Sequence, residues 1–203
     1  MSGIPRLILA SGSSARHAIL KNASVAFTVM PADIDEDAVR TSLLGTDQPI
    51  DPADLAEVLA QAKGTSVSAV NPGSLIIAAD QILVCDDEIF TKPSDETAAR
   101  ETLMKLRGKT HQLHSAVVIA RDGEVVWSQV ETANLTMRKF SATFIAEYTL
   151  RTGSSVCDSV GAYKLEGMGI QLFDAIDGDY FTILGLPLLP LLAKLRELGA
   201  LTS

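Results

Sequence analysis

The chain has 203 residues, 47% hydrophobic and 21% charged, with a net charge of −8. That length and mixture predict a folded chain with a substantial core and exclude disorder. The acidic balance excludes a general field for polyanions. Extended nucleic acid is therefore not an expected partner, and any anionic ligand has to be held by a local group of bases.

Cys85 and Cys157 make no CxxC or histidine-spaced pattern and no leader-like segment precedes them, which predicts a reducing, cytoplasmic setting. The apolar stretch Leu184 to Leu198 is too short and too interrupted by proline to span a bilayer.

In chain order, Arg6 to Ala10 reads as a buried strand, and Ser13 or Ser14 caps a short helix through Leu20. Val25 to Met30 is a second strand closed by Pro31, and ADIDEDA after it reads as an acidic loop. Asp51 and Pro52 start a helix as N-cap and first helical residue. Leu55, Val58, Leu59 and Ala62 give that helix one buried stripe and leave Lys63 on its margin, until Asn71, Pro72 and Gly73 break it.

Leu75 to Ala79 is a short, continuous apolar run, expected as a central strand covered on both faces and ending at Asp80. QILVC, a turn at Asp86 and Asp87, and EIFTK predict a hairpin. Ser94 caps the next helix, which ends near Gly108. Leu113 to Ala120 and Glu124 to Glu131 flank Asp122-Gly123, a type I′ hairpin signal. Phe140 to Leu150 is helical, and Gly169 to Ile176 with Tyr180 to Leu184 read as a hairpin around DGD. Leu188, Leu191, Leu192, Leu195 and Leu198 stripe a last helix stopped by Gly199. The class is α/β with a mixed sheet, as one domain over residues 1–203 or as two lobes sharing the sheet.

Four features carry chemistry. A carboxylate at the end of an apolar strand, Asp80, loses solvation unless a cation, a metal or donors compensate it. Counting back from the turn pairs Val84 with Ile89 and Gln81 with Lys92, which returns Lys92 near the level of Asp80, either as a salt bridge at a strand end or as part of a site. Asp35 and Glu36 suit a hard divalent cation, or are a solvated acidic loop. SGSSAR between strand and helix brings backbone N–H groups to an anion. Arg16, poorly placed for the helix dipole, makes sense beside that anion. His111 and His114, three apart on a strand, face opposite sides and cannot chelate one ion. Together Arg16, Lys63, Lys92, Glu36 and Asp80 have the look of a phosphate and metal site.

The segment LILASGSSARHAIL resembles the opening motif of the Maf proteins, AADQ followed by KP their central motif, and VGAYKLEGMG with GLPL their closing motifs. The resemblance covers about residues 6 to 198. It implies an elongated mixed sheet flanked by helices, with two lobes around a cleft, as in Maf- and ITPase-like proteins. It also implies a cytoplasmic, commonly dimeric, house-cleaning hydrolase that cuts a nucleoside triphosphate to the monophosphate and pyrophosphate with a divalent metal, Mg²⁺ or Mn²⁺.

Carried onto this chain, it implies Asp80 as general base, Glu36 and Asp80 as metal ligands, and Ser11, Arg16, Lys63 and Lys92 as the triphosphate grip. Gln81 and Glu166 resemble the subgroup acting on 7-methyl-GTP. Most members have proline and a bulky or basic residue where Ser14 and Ala15 stand, so Ala15 marks a specificity position at which this chain departs. A dTTP/UTP or broad-specificity pyrophosphatase, and a nucleotide-binding regulator of division or septation, are the alternatives.

Overall fold

The computed structural model describes residues 4–45 and 50–202. The described residues form two compact units, the first drawn from Met1–Gln81, Ser115–Glu131 and Tyr180–Ser203, the second from Ile82–His114 and Thr132–Asp179. Seven strands make one mixed sheet: β1 (Leu7–Leu9), β2 (Thr28–Val29), β3 (Leu75–Cys85), β4 (Glu88–Phe90), β5 (Thr110–Arg121), β6 (Glu124–Met137) and β7 (Phe173–Asp177). Their order is β2-β1-β3-β5-β6-β7, with β4 paired to β3.

In the first unit, β1 lies parallel to β2 and to β3, with Leu7 opposite Leu75 and Leu9 opposite Ile77. Helices cover both sheet faces, so these strands are apolar without alternation, as buried parallel strands are. Leu9, Ile77, Ala79, Val117 and Ile119 pack on one face with Leu20 of α1 (Ser14–Asn22) and with Leu188, Leu191 and Leu195 of α7 (Leu188–Glu197). The one tryptophan, Trp127, packs partly buried against the same cluster.

On the opposite face α3 (Pro52–Ala69) approaches so closely at Gly64 that a Cβ there would lie 3.0 Å from Val118 and 3.5 Å from Ala78. Its start is as expected: Asp51 accepts from Ala53 N at 2.8 Å and Pro52 follows. The buried stripe is rotated, however. Leu55, Ala56, Leu59, Ala60, Lys63, Gly64, Val67 and Ser68 face inward, so Lys63 belongs to the buried face and not to its margin. Small residues alongside the leucines allow the close approach, a contribution that counting only large apolar side chains overlooks.

Two further readings change here. ADIDEDA is a loop only through Asp35; the Asp35 side chain then caps Ala38 N at 2.9 Å and opens α2 (Glu36–Leu44). Tyr180 to Leu184 is not a strand. It is a single helical turn, α6 (Tyr180–Ile183), closed by Gly185 N on Thr182 O at 3.0 Å and by Leu186 N on Phe181 O at 3.0 Å. Gly185 has φ +89, where a residue with a side chain is strained, and this reverses the chain into α7.

In the second unit, β3 and β4 form the expected hairpin, with Val84 opposite Ile89 and left-handed turn residues Asp86 and Asp87. The ladder ends at Leu83 and Phe90, so β4 stops before Lys92 and the expected Gln81 to Lys92 pairing lies beyond it. Helix α4 (Glu96–Leu106) is capped by Asp95, not by Ser94, through Ala98 N at 2.9 Å. It packs with α5 (Ala142–Thr152) and with the 3₁₀ segment Gly153–Asp158. The stretch from Gly169 begins as 3₁₀ helix through Leu172, and only Phe173–Asp177 joins the sheet, antiparallel to β6.

Candidate functional site

Strand alternation decides what faces what at the end of β3. Ala78 meets Gly64 of α3, so Asp80, two residues on, faces α3 as well. There Lys63 Nζ donates to Asp80 Oδ1 at 2.5 Å, with side chains only 10% and 8% exposed. The same ammonium reaches Glu36 Oε2 at 2.9 Å, at the first residue of α2. Two carboxylates from separate segments therefore meet on one buried lysine. An ammonium has three N–H donors, so one remains for a ligand.

Arg16 gathers three other segments. Its Nε donates to Gly185 O at 2.7 Å and its Nη1 to Ala79 O at 2.8 Å and Ser11 Oγ at 3.3 Å. The backbone just before Asp80 is thus tied to the loop after β1 and to the turn before α7. Burial lowers the Arg16 pKa, while Asp80 and Glu36 act in the opposite direction. Both carboxylates therefore lie near enough for their fields to be felt. The Nη2 amino group makes no hydrogen bond to the described residues.

Ser11 is buried, and its Oγ accepts from Ser13 N at 3.2 Å as well as from Arg16. With both acceptor positions used, its O–H is the part left to donate. Ser13 caps α1 through Arg16 N at 3.4 Å. A Cβ at Gly12 would meet nothing within 4 Å, so the loop faces open space.

Gln81, one residue after Asp80, projects to the opposite face. Its Nε2 lies 2.8 Å from Ser115 Oγ, 3.1 Å from Thr182 O and 3.1 Å from Ile183 O. Ser115 Oγ also donates to Thr182 O at 2.8 Å. Sequence reasoning missed Ser115, the carbonyls of the α6 turn and Gly185; the signal for them was a glutamine in an otherwise apolar strand together with the glycine of GLPL.

The structure brings Ser11, Arg16, Glu36, Lys63 and Asp80 together in the first unit. Ala15 lies half-buried on the first turn of α1 in the same unit. Lys92 and Glu166 belong to the second unit and are exposed there. His17, beside Arg16 in sequence, is exposed and packs edge-on against Phe27. His111 and His114 part as expected: His111 is buried against Tyr163 Oη at 2.8 Å, and His114 pairs with Thr132 Oγ1 at 3.0 Å.

A family model for Maf-like proteins matches residues 6–198, which takes in every one of these positions. The chain belongs to the Maf-like family. At full length this Maf-like chain is 55% identical over 192 residues to a 7-methyl-GTP pyrophosphatase of Brucella abortus, covering 95% of this chain and 96% of the relative. It is 53% identical over 194 residues to a nucleoside triphosphate pyrophosphatase of Paramagnetospirillum magneticum, covering 96% and 99%. A 7-methyl-GTP pyrophosphatase of Mesorhizobium japonicum is 51% identical over 196 residues, covering 97% and 98%.

Proposed function

We propose that this Maf-like chain is a nucleoside triphosphate pyrophosphatase that releases pyrophosphate and a nucleoside monophosphate, with modified nucleotides such as 7-methyl-GTP as its substrates. One observation carries the reading: the buried Lys63 ammonium is shared by Asp80 at 2.5 Å and Glu36 at 2.9 Å, with Arg16 close enough to feel both carboxylates. The relatives' names give the substrate class, and the Maf resemblance points to Ala15, Gln81 and Glu166 as the positions at which specificity would be sought.

In this reading water attacks the α-phosphorus, the bond to the bridging β-phosphate oxygen breaks, and its electron pair leaves with pyrophosphate. Asp80 takes the water's proton. Its Oδ1 is held by Lys63, which fixes the carboxylate's direction, and its second oxygen faces the reaction. The third Lys63 N–H, the Arg16 Nη2 group and the Ser11 O–H receive phosphate oxygens. Such catalysis is mostly positioning and charge neutralisation.

The donor set fits a hard divalent ion. Mg²⁺ takes one or two carboxylates and completes its shell with substrate oxygens and water, and among the described residues no group of three or more acidic, histidine or cysteine side chains forms a closed metal cage. Glu36 and Asp80 would hold Mg²⁺ or Mn²⁺, whose charge would offset that of the phosphates. No helix among the described residues is long and apolar enough to cross a membrane; a cytoplasmic homodimer completes the reading.

The test is hydrolysis of canonical and 7-methylated triphosphates with Mg²⁺ or Mn²⁺, following monophosphate and pyrophosphate. Asp80→Asn is expected to lose at least a thousandfold in kcat while retaining its circular dichroism spectrum. Near-normal pyrophosphate release by that variant would overturn the role of Asp80. A preference for dTTP or UTP would overturn the substrate class, and binding without hydrolysis of any triphosphate would favour a nucleotide-binding regulator.

A further inference from the structure

Asp80 and Gln81 are neighbours in sequence, yet they leave β3 on opposite faces, and only Asp80 faces Lys63. The Gln81 amide instead contacts the Thr182 and Ile183 carbonyls and Ser115 Oγ, and Ser115 itself donates to Thr182 O. Ser115 is fully buried and Thr182 is 1% exposed, so the Ser115–Thr182 bond is shielded from water, while the Gln81 bonds are partly so. Such bonds favour one geometry: if they break, the Ile183 carbonyl loses its Gln81 donor, and Thr182 O, which also accepts from Ser115 Oγ and Gly185 N, loses one of these three donors.

The clamped turn ends at Gly185, and the Gly185 carbonyl is the acceptor of Arg16 Nε at 2.7 Å. Gly185 lies between the two side chains. A Cβ built on it would fall 3.3 Å from Arg16 Nη2, 3.4 Å from Arg16 Nε and 3.7 Å from Gln81 Cδ. The Gln81 amide and the Arg16 guanidinium thus grip one turn from its two sides. The other end of the guanidinium holds Ala79 O, immediately before Asp80.

We propose that Gln81 and Ser115 are positioning residues that lock the Thr182–Gly185 turn and through the Gly185 carbonyl fix the direction of the Arg16 guanidinium. The proposal rests on the pyrophosphatase reading only for its effect on rate, since the lock itself is a property of the fold. It gives Gln81 a route to catalysis that needs no contact with the base. A guanidinium displaced by about 1 Å would lose its alignment with the triphosphate, at a cost of about ten- to a hundredfold in rate.

Two readouts separate the lock from the activity. The first is hydrogen exchange of the Arg16 Nε–H by NMR, assigned through its disappearance in Arg16→Lys. Gln81→Leu, and independently the milder Ser115→Ala, are expected to speed that exchange at least tenfold while the core amides of α7 keep wild-type protection. Unchanged Nε–H exchange in both variants overturns the proposal, whether or not the protein hydrolyses triphosphates.

The second readout is kcat and KM on guanine, 7-methylguanine and pyrimidine triphosphates. The lock predicts that Gln81→Leu lowers kcat by a similar factor on every base, and that it adds less than threefold in an Arg16→Lys background. Loss of discrimination among bases, with kcat retained on the poorer substrates, would instead make Gln81 a reader of the base. Faster exchange in a protein without turnover would keep the lock and overturn the pyrophosphatase reading alone.

Discussion

Lys63→Met removes the cation shared by Asp80 and Glu36 and leaves an apolar chain of similar length. The Lys63 and Asp80 side chains are 10% and 8% exposed, so Asp80 would be left as a buried carboxylate without its counter-charge. Breaking such a pair costs about 3–5 kcal/mol. The Glu36 contact adds little, because that side chain is 44% exposed and solvent screens it. Taking the low end, about 3 kcal/mol, the melting temperature should fall by about 6–12 °C for a chain of this size.

Trp127 packs on the core of the first unit, so its fluorescence follows unfolding where the pair resides. Lys63→Met with Asp80→Asn removes both charges and should recover at least half of the lost stability, since replacing a whole buried pair is often neutral. Glu36→Gln should cost less than about 1 kcal/mol. A Lys63→Met protein melting within about 2 °C of wild type at pH 7.5, or a double variant no more stable than the single one, would refute this account of the pair.

The remaining predictions concern the loop and the second unit. Gly12→Ala should leave the melting temperature within about 2 °C, since its Cβ meets nothing within 4 Å. It should raise the KM for triphosphate at least tenfold if the open space is where phosphate approaches; an unchanged KM would remove Gly12 from the cradle. His111 is 1% exposed, its Nδ1 has no hydrogen-bond partner among the described residues, and burial lowers its pKa from 6.5 to about 4. The unfolded chain therefore binds its proton first as pH falls. The stability from neutral His111 is complete above about pH 6.5, declines by up to about 1.4 kcal/mol per pH unit below that, and is gone below about pH 4. Urea unfolding of His111→Phe between pH 7 and 5 should show a shallower slope than wild type, and equal slopes would contradict it.

Much of the candidate site was legible because its residues carry local signals. Asp80 ends an apolar run, SGSSAR interrupts strand and helix with small residues, and Asp51-Pro52 starts α3 by side-chain and ring chemistry confined to a few positions. Such features act between residues close in the chain, and so they can be read along it. The errors arose where a local preference competed with a distant partner. YFTIL has the apolar character of a strand, yet its Thr182 and Ile183 carbonyls go to Gln81, about a hundred residues earlier, and the segment turns as a helix.

Lys63 shows the same limit within a correctly placed helix. The Asp51 cap and the apolar spacing of α3 determined where the helix starts and that it is amphipathic. They did not determine which of two adjacent stripes turns inward. That was decided when Gly64 let α3 close onto Ala78 and Val118, which carried Lys63 into the interior beside Asp80. By itself the sequence determined most of the elements, the caps of α1 and α3 and the residue types able to hold phosphate, because each depends on short stretches of chain. Only the tertiary structure decided that Lys63 bridges two carboxylates, that Gln81 turns away from Asp80, and that Arg16 is braced by Gly185. Those contacts join segments 17 to 169 residues apart, and packing alone brings them together.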